Sequence, residues 1–200
     1  MSYDAVLFDF DGVLADSEPL HYEVWCEVLA PFGFEMDWET YVRECIGISD
    51  RLMVERFCAT KTPPLDFETI YALYPTKKEI LSRRMIEKMP FLAETVRLLN
   101  DIALPMAVVS SSSRNEVELP LLQAGIRDRF SALVCGLEAG KLKPAPDPYL
   151  MGAEMLGALR PLVVEDSEAG ELSGKTAGFD VVRVSSPQEV APKVRAALGI

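Results

Sequence analysis

The sequence predicts an α/β fold, with a Rossmann-like parallel sheet as core, helices on both faces of the sheet, and an inserted helical domain. Several short apolar runs are continuous rather than alternating, which is typical of strands buried on both faces. Helical stretches of about ten residues separate the later runs, and this alternation predicts βαβ units. A long segment after the first run lacks any strand pattern, so we interpret it as an insertion.

The apolar runs and the patterns between them define the predicted elements. The predicted strands are Ala5–Phe10, Met106–Ser110, Ala132–Cys135, Leu162–Glu165 and Val181–Val184. The predicted helices between the later strands are Arg114–Ala124, Pro148–Leu159 and Ala169–Ala177. Right-handed crossovers bring the carboxyl ends of parallel strands to one edge of the sheet, and ligands bind there where the strand order reverses.

The insertion extends from about Glu18 to Met89 and is predicted to be helical throughout. Its helical patches lie near Pro19–Ala30, Trp38–Cys45, Arg51–Cys58 and Asp66–Lys88. Prolines at Thr62-Pro63-Pro64 and Tyr74-Pro75 interrupt it, because proline cannot continue a helix interior. The predicted domains are therefore residues 1–16 with 90–200 for the sheet and residues 17–89 for the insertion.

Composition excludes several classes of protein. The 200 residues are 49% hydrophobic and 26% charged, which is ordinary for a globular chain. With 20 basic against 31 acidic residues the net charge is −11, which disfavours both duplex nucleic acid and anionic membranes as partners. Four cysteines without metal-like spacing and a single histidine argue against a zinc site. Since no signal peptide or apolar run of about 18 residues is present, we expect a cytoplasmic location.

Two acids directly follow the first predicted strand, in Asp9-Phe10-Asp11-Gly12. Strand alternation points Asp9 and Asp11 to the same side if the extended geometry continues. Two such carboxylates repel each other unless a cation or a proton is shared between them. The alternative is an ordinary polar strand exit, since Asp-Gly is a common turn.

A second acidic strand end occurs at Glu165-Asp166-Ser167. In a parallel sheet Asp166 can meet Asp9 at the same edge, and clusters of oxygen ligands suit Mg²⁺. Helix capping is the alternative for one of the two acids at this strand end. Capping explains poorly why acids follow both strands.

Serines and a lysine follow two further strand regions. A helix opens after Ser110-Ser111-Ser112-Ser113, and hydroxyls and main-chain N–H groups at a helix start favour anions. Because serine also caps helices well, we expect one serine to cap and another, Ser110 or Ser111, to bind phosphate. Lys143 supplies a cation in a region otherwise rich in acids, although a lone surface lysine is normally solvated.

Glycines recur every four residues at Gly170, Gly174 and Gly178. Their spacing does not fit a Walker loop, which has four residues between its glycines, so a nucleotide site is not indicated. We expect this row of glycines to let a helix lie close to the sheet. Because Gly-x-Gly-x-x-Gly is also absent, dinucleotide binding has no support.

These elements, in this order, resemble the haloacid dehalogenase-like hydrolase superfamily, and within it the β-phosphoglucomutase-like phosphatase branch. The resemblance covers nearly the whole chain. The motifs on which it rests are Asp9-Phe10-Asp11-Gly12-Val13-Leu14 with Asp16-Ser17-Glu18, Ser110, Lys143-Pro144-Ala145-Pro146-Asp147, and Glu165-Asp166-Ser167-Glu168-Ala169-Gly170. The resemblance implies that the insertion is a helical cap domain that closes over substrate.

The resemblance also implies roles for individual residues. Asp9 resembles the nucleophile that becomes an aspartyl-phosphate, and Asp11 resembles the general acid/base. Dehalogenase and phosphonatase branches lack an acid at the Asp11 position, so phosphoryl transfer from an oxygen leaving group is implied. Phosphate binding is implied for Ser110 and Lys143. The implied Mg²⁺ ligands are Asp9, the main-chain carbonyl of Asp11, and Asp166, with Glu165 assisting.

Three residues of the insertion are candidates for substrate contact: His21, Lys78 and Arg51. Hexose-phosphate mutases of this branch carry an arginine where Asp50 falls, and Arg51 is displaced by one position. One residue turns a helical side chain by about 100°, which weakens the mutase interpretation. Four aromatic residues are interpreted mainly as core of the insertion rather than as pocket lining: Trp25, Phe32, Phe34 and Trp38.

The predicted function is that of a Mg²⁺-dependent phosphatase acting on a small phosphorylated metabolite, with a sugar phosphate as one candidate. An isomerase of the β-phosphoglucomutase type and a non-catalytic module that binds phosphometabolites are the alternatives. The cap residues do not identify the substrate. The oligomeric state also stays open, although a monomer is compatible with the sequence.

Overall fold

The computed structural model describes residues 2–46, 48–88 and 90–200. Gly47, which lies shortly before Asp50 and Arg51 in the sequence, and Met89, at the predicted domain boundary, lie outside the described residues. The chain divides into two compact units. The sheet unit comprises the described residues of Met1–Ser17 together with Lys88–Ile200, and the helical unit comprises Glu18–Glu87.

The sheet unit contains a sheet of five parallel strands. The strands are β1 Ala5–Phe8, β2 Met106–Ser110, β3 Ala132–Cys135, β4 Pro161–Glu165 and β5 Asp180–Arg183. Their spatial order is β3-β2-β1-β4-β5, and Val6 of β1 lies opposite Met106 of β2 and Leu162 of β4. The chain steps from β1 through β2 to β3 and then returns to the other side of β1. The strand order therefore reverses beside β1, and this is where such sheets bind ligands.

Every position of β1, β2, β3 and β4 is buried, as continuous apolar runs predict. The helices of the sheet unit are α6 Ala93–Asp101, α7 Arg114–Gln123, α8 Asp147–Leu156, α9 Glu168–Thr176 and α10 Val190–Leu198. On one face Leu7, Val109 and Val163 pack with Tyr149 of α8, and the alternate residue Phe8 is equally buried on the other. The predicted fold class, an α/β sheet with helices on both faces and a helical insertion, is confirmed.

Several element boundaries differ from the sequence prediction. Strand β1 ends at Phe8 rather than Phe10, and the helices α6 and α10 were not predicted. Gly174 of α9 packs against Val163 and Val181 of the sheet, as the glycine spacing predicts. Gly178, by contrast, has a φ of +85° and lies beyond the end of α9, so it does not belong to the predicted packing face.

The described residues of the helical unit form five α-helices. They are α1 Glu18–Leu29, α2 Trp38–Glu44, α3 Asp50–Thr60, α4 Phe67–Tyr71 and α5 Tyr74–Lys88, whose last residue falls in the sheet unit. The predicted helix Asp66–Lys88 is thus two helices, because Pro75 stands in the first turn of α5, where proline is tolerated. Trp25 and Phe34 lie in the core of this unit, whereas Trp38 is 40% exposed.

Within the described ranges, no helix combines the length and the apolar character that a crossing of the bilayer requires.

Candidate active site

The chain turns sharply after β1 and thereby separates the two acids of its first motif. The main-chain N–H groups of Leu14 and Ala15 both donate to the carbonyl of Phe10, and Gly12 has a φ of +73°. The extended geometry therefore does not continue past Asp9, contrary to the simple alternation argument. Asp9 and Asp11 face different hydrogen-bond partners as a result.

Asp9 is paired with a lysine that lies 134 residues later in the chain. Lys143 Nζ donates to Asp9 Oδ1 at 2.5 Å, to the Val109 carbonyl at 2.8 Å, and to Glu165 Oε1 at 2.5 Å. These contacts use all three N–H groups of the ammonium. The Lys143 side chain is only 5% exposed, so its charge is balanced by protein groups rather than by water.

The carboxylates around Lys143 carry more negative charge than one ammonium can balance. Burial raises the pKa of Asp9 well above its ordinary value, Lys143 opposes that rise, and Glu165 and Asp166 add to it. Burial, followed by the charge of Glu165, raises the pKa of Asp166 to about 6. A cation placed between these groups would favour their ionised forms, since opposite charge stabilises carboxylates.

The same acids fit a magnesium ion. Asp9, Glu165 and Asp166 each offer an oxygen atom, and these atoms lie within 4.8 Å of one another. A Cβ on Gly12 would lie 2.1 Å from Asp166 Oδ2, so this carboxylate sits directly against the main chain that follows Asp11. Hard oxygen ligands of this kind are those that Mg²⁺ prefers. The described structure thus brings together three acids that could hold a metal ion, and two of them, Asp9 and Asp166, are predicted ligands.

Glu165 has a different environment from the other two acids. Its Oε2 accepts hydrogen bonds from the main-chain N–H of Asp166 and from both the N–H and the hydroxyl of Ser167. Its Oε1 accepts from Lys143 and from the Tyr149 hydroxyl. Because both oxygens are already hydrogen-bonded, Glu165 is suited to assist the site by positioning its neighbours rather than by binding an ion directly.

Asp11 is held by two serine hydroxyls. Ser17 Oγ donates to Asp11 Oδ1 at 2.8 Å, and Ser112 Oγ donates to Asp11 Oδ2 at 2.8 Å. Ser17 is fully buried, so its hydroxyl is committed to this contact. The two hydrogen bonds fix the orientation of the carboxyl group that the resemblance identifies with the general acid/base.

The four serines after β2 have separate structural tasks. Ser113 caps α7 and forms a capping box with Glu116, which is the capping role expected for one of the four serines. Ser110 is buried, and its Oγ accepts the main-chain N–H of Ser112 at 3.0 Å. Ser111 is exposed. The tract therefore places one capping serine and the two predicted phosphate-binding serines, Ser110 and Ser111, at the carboxyl end of β2.

Two adjacent lysines of α5, Lys77 and Lys78, have different environments. Lys77, rather than Lys78, is the fully buried lysine, and its Nζ lies 3.0 Å from both Asp50 Oδ2 and His21 Nδ1. Lys78 Nζ lies 5.8 Å from the ring centre of Tyr74. Helix α5 thus turns Lys77 towards the core of its unit, and substrate contact by Lys78 stays a prediction.

Arg51 is engaged within its own unit. Its guanidinium lies 4.5 Å above the centre of the Phe67 ring, and its Nε donates to Glu55 at 3.2 Å. Stacking and pairing of this kind are typical of a structural surface arginine. Arg51, a predicted candidate for substrate contact, therefore makes local structural contacts with Phe67 and Glu55.

A cavity of about 240 Å³ lies within the helical unit. Its polar lining groups come from Glu18, His21, Tyr41, Ser49 and Asp50. Two of these five are carboxylic acids, and the Asp50 carboxylate also accepts a hydrogen bond from Trp25 Nε1 at 2.8 Å. The Asp50 carboxylate is also paired with Lys77, so the lining combines carboxylate, imidazole and hydroxyl groups that can hydrogen-bond to a polar ligand.

Comparison with known proteins defines the family. Residues 6–184 match the family described as haloacid dehalogenase-like hydrolase. The chain belongs to this family. The family predicted from the motifs is thereby confirmed, and the haloacid dehalogenase-like fold is also seen in solved structures. One such protein of Agrobacterium tumefaciens superposes with a TM-score of 0.82 over 100% of both chains at 24% sequence identity.

Curated relatives of this haloacid dehalogenase-like hydrolase carry phosphatase names. Fructose-1-phosphate phosphatase of Escherichia coli is 29% identical over 187 residues, covering 91% of this chain and 96% of the relative. Hexitol phosphatase B of the same species is 27% identical over 196 residues, covering 92% and 84%. The predicted enzyme class, phosphoric monoester hydrolase, is the class to which these relatives belong.

Sequence reasoning missed three polar groups of this haloacid dehalogenase-like site. Ser112 was overlooked beside Ser110 and Ser111, because a run of four serines gives no sign of which hydroxyl faces Asp11. Ser17 was noted only as part of a motif. Tyr149 lies in an apolar helical pattern, so periodicity assigns it to the core and gives no information about its hydroxyl.

Proposed function

We propose that this chain is a Mg²⁺-dependent phosphatase that hydrolyses small phosphorylated carbohydrates through an aspartyl-phosphate on Asp9. The single observation that carries the proposal is the Asp9 carboxylate at the end of β1, paired with Lys143 and lying beside Asp166 and Glu165. The names of the curated relatives, which include phosphatases of fructose 1-phosphate and of hexitol phosphates, support the substrate class.

Asp9 supplies the attacking oxygen. One of its carboxylate oxygens forms a bond to phosphorus, and the bond between phosphorus and the sugar oxygen breaks. Lys143 holds Asp9 Oδ1, so the ammonium fixes the carboxylate and offsets its repulsion from the phosphate. A covalent intermediate divides one difficult transfer into two easier ones. Water then attacks the phosphorus and releases inorganic phosphate and free Asp9.

Asp11 serves as the general acid and base. In the first step its carboxyl group donates a proton to the departing sugar oxygen, and in the second it accepts a proton from the attacking water. Positioned proton transfer of this kind contributes typically ~10²–10⁴-fold to the rate. The hydroxyls of Ser17 and Ser112 hold the carboxyl group in one orientation between the two steps.

Phosphate and metal binding complete the site. Mg²⁺, when bound, neutralises charge on the phosphoryl oxygens during transfer. Asp9, Asp166 and the main-chain carbonyl of Asp11 would hold the ion, while Glu165 positions Lys143. Ser110, with Ser111 beside it, and Lys143 bind the phosphoryl group, and a substrate oxygen takes the place of one of the present acceptors of Lys143.

The helical unit, residues 17–89 in the sequence prediction, is assigned the role of substrate cap. Its polar cavity, with Glu18 and Asp50 in the lining, suits the hydroxyl groups of a sugar or a polyol. A small phosphate ester is the only partner this function requires. The four unpaired cysteines suit a reducing compartment such as the cytoplasm.

Hydrolysis of p-nitrophenyl phosphate tests the proposed function. We expect release of nitrophenol that requires Mg²⁺ and is lost, by at least ~10³-fold, in Asp9→Asn. Asp128→Asn is the matched control, because Asp128 is exposed on the sheet unit and should leave turnover unchanged. Wild-type turnover in Asp9→Asn would refute the assigned nucleophile.

A β-phosphoglucomutase-type isomerase is the second candidate, and it rests on the resemblance of the motifs together with His21 and Lys78. Asp50 disfavours it, because the hexose-phosphate mutases that the motifs resemble carry at this position an arginine that grips the second phosphate. An assay with β-glucose 1-phosphate primed by a bisphosphate separates the two functions. Isomer formed faster than free phosphate would favour the mutase.

Failure to hydrolyse any of a broad panel of phosphate esters despite Mg²⁺ binding would favour a non-catalytic binding module.

A further inference from the structure

Tyr149 is a fully buried residue of α8 that touches the charged centre of the sheet unit with two different parts of its side chain. Its hydroxyl donates to Glu165 Oε1 at 2.7 Å. The centre of its ring lies 4.9 Å from Lys143 Nζ. A phenol with one edge on an acid and its face towards an ammonium constrains both groups at once.

The hydroxyl matters because Glu165 has no access to water. Glu165 is completely buried, and its ionised form depends entirely on donors supplied by the protein. Its Oε1 has two of these donors, Lys143 and Tyr149. A Cβ on Gly170 would lie 1.8 Å from the same Oε1, so helix α9 closes the remaining side. The donors that the described residues supply to Oε1 are thus Lys143 and the Tyr149 hydroxyl.

Loss of the Tyr149 hydroxyl would affect Lys143, because its Nζ donates to both Asp9 Oδ1 and Glu165 Oε1 at 2.5 Å. If Oε1 lost the Tyr149 donor, the uncompensated charge of Glu165 would draw the ammonium away from Asp9. Charge-assisted hydrogen bonds are short and directional, so a small displacement weakens the contact with Asp9 considerably.

We propose that Tyr149 is a positioning residue that keeps the Lys143 ammonium on Asp9, by satisfying Glu165 Oε1 with its hydroxyl and by supporting the ammonium with its ring. The inference rests on the proposed function only for its effect on turnover. The placement of Lys143 can be measured whether or not the chain is a phosphatase.

Tyr149→Phe tests the hydroxyl alone, since phenylalanine retains the ring beside Lys143. Acetylation by a small anhydride, followed by mass spectrometry, reports how accessible each lysine is, and exposed Lys175 is the internal reference. We expect labelling of Lys143 relative to Lys175 to fall in Tyr149→Phe, because the ammonium moves from Asp9 towards the completely buried Glu165. Tyr3→Phe is the control, because Tyr3 donates to Asp180 at an exposed position. An unchanged ratio in Tyr149→Phe would overturn the proposal.

Turnover provides the second readout and separates positioning from general stability. Tyr149→Phe should lower turnover of p-nitrophenyl phosphate by roughly tenfold, the effect of losing one hydrogen bond to a charged group. In a Lys143→Ala background the same change should alter turnover by less than about twofold, because the two residues act in one network. An equal loss in both backgrounds would contradict an action through Lys143. A wild-type protein without turnover would refute the proposed function, and labelling alone would then decide the role of Tyr149.

Discussion

Gly12 is favoured both by the backbone conformation of the turn after β1 and by the close approach of the Asp166 carboxylate. Its φ of +73° favours glycine, and an added Cβ would lie 2.1 Å from Asp166 Oδ2. We predict that Gly12→Ala lowers turnover by at least ~10²-fold and removes thermal stabilisation by Mg²⁺, because the methyl group displaces a metal ligand. Turnover assays and thermal unfolding with and without Mg²⁺ measure both effects.

Gly125→Ala is the matched control for this change. Gly125 has a φ of +68°, and no described atom lies within 4 Å of its added Cβ. Both substitutions should cost about 1–2 kcal/mol in unfolding free energy from the left-handed backbone alone. Only Gly12→Ala should abolish the Mg²⁺ effect, and an equal Mg²⁺ effect in the two variants would contradict the assigned metal site.

Asp50 carries a pH-dependent part of the stability of the helical unit. Burial alone would raise the pKa of its carboxyl group, but the charge of Lys77, the Trp25 hydrogen bond and His21 outweigh burial and lower the pKa. A lowered pKa means that the contribution to stability is complete above the ordinary pKa, near 4, and is lost as the pH falls through the folded-state pKa.

We therefore predict that Asp50→Asn destabilises the protein by roughly 3 kcal/mol at pH 7, because it removes the carboxylate that pairs with the buried Lys77 ammonium. The difference from wild type should shrink as the pH falls below about 4. Urea denaturation at pH 7 and pH 3 measures both values. Exposed Glu39→Gln is the control, and an Asp50→Asn effect that is constant with pH would exclude the ion pair as its cause.

At the scale of elements, the contact between α9 and the sheet depends on the absence of a side chain at Gly174. An added Cβ would lie 2.9 Å from Val181 Cγ2 and 3.2 Å from Val163 Cγ1. Valine side chains are stiff at χ1, so they cannot easily move away. We predict that Gly174→Ala destabilises the fold by about 1–3 kcal/mol, although alanine has the higher helix propensity.

Guanidinium denaturation measures the effect of Gly174→Ala, and Leu172→Ala on the same helix is its control. Leu172 is 55% exposed, and substitutions at such positions usually change stability by less than ~0.5 kcal/mol. Stabilisation by Gly174→Ala would show that helix propensity, rather than the close approach of α9 to the sheet, governs this position.

The sequence predicted those elements whose pattern is unambiguous. Continuous apolar runs identified all five strands, and strand β2 was predicted with its observed limits, Met106–Ser110. The helices α6 and α10 were missed because each carries a short amphipathic pattern next to prolines, and only packing stabilises it. Asp9 and Asp166 could be named from their positions at strand ends, and Lys143 from the resemblance of its segment to the family motif. The hydroxyls of Ser112 and Tyr149 could not, because their directions depend on how α7 and α8 pack.

At the scale of the whole molecule, parallel topology assembles the site from segments far apart in the chain. Strands β1 and β4 are neighbours and lie on the two sides of the point where the strand order reverses. Their carboxyl ends present Asp9 and Asp166 at one edge, and the segment before α8 brings Lys143 to the same place. Folding of the entire sheet is therefore a precondition for ion binding, so the ion should stabilise the fold as a whole.

This coupling predicts a pH-dependent stabilisation by Mg²⁺. The folded-state pKa of Asp166 is raised, by burial and then by Glu165, from the ordinary value of 3.8 to about 6. Without the ion, stability should therefore fall as the pH rises from about 4 to about 6, because the folded state holds the proton more tightly than the unfolded state. Since Mg²⁺ competes with that proton, its stabilising effect should grow over the same interval.

Thermal unfolding at pH 5 and pH 7.5, with Mg²⁺ or with a chelator at matched ionic strength, measures this difference. Asp166→Asn should remove it, whereas equal stabilisation by Mg²⁺ at both pH values in the wild type would show that the ion binds elsewhere.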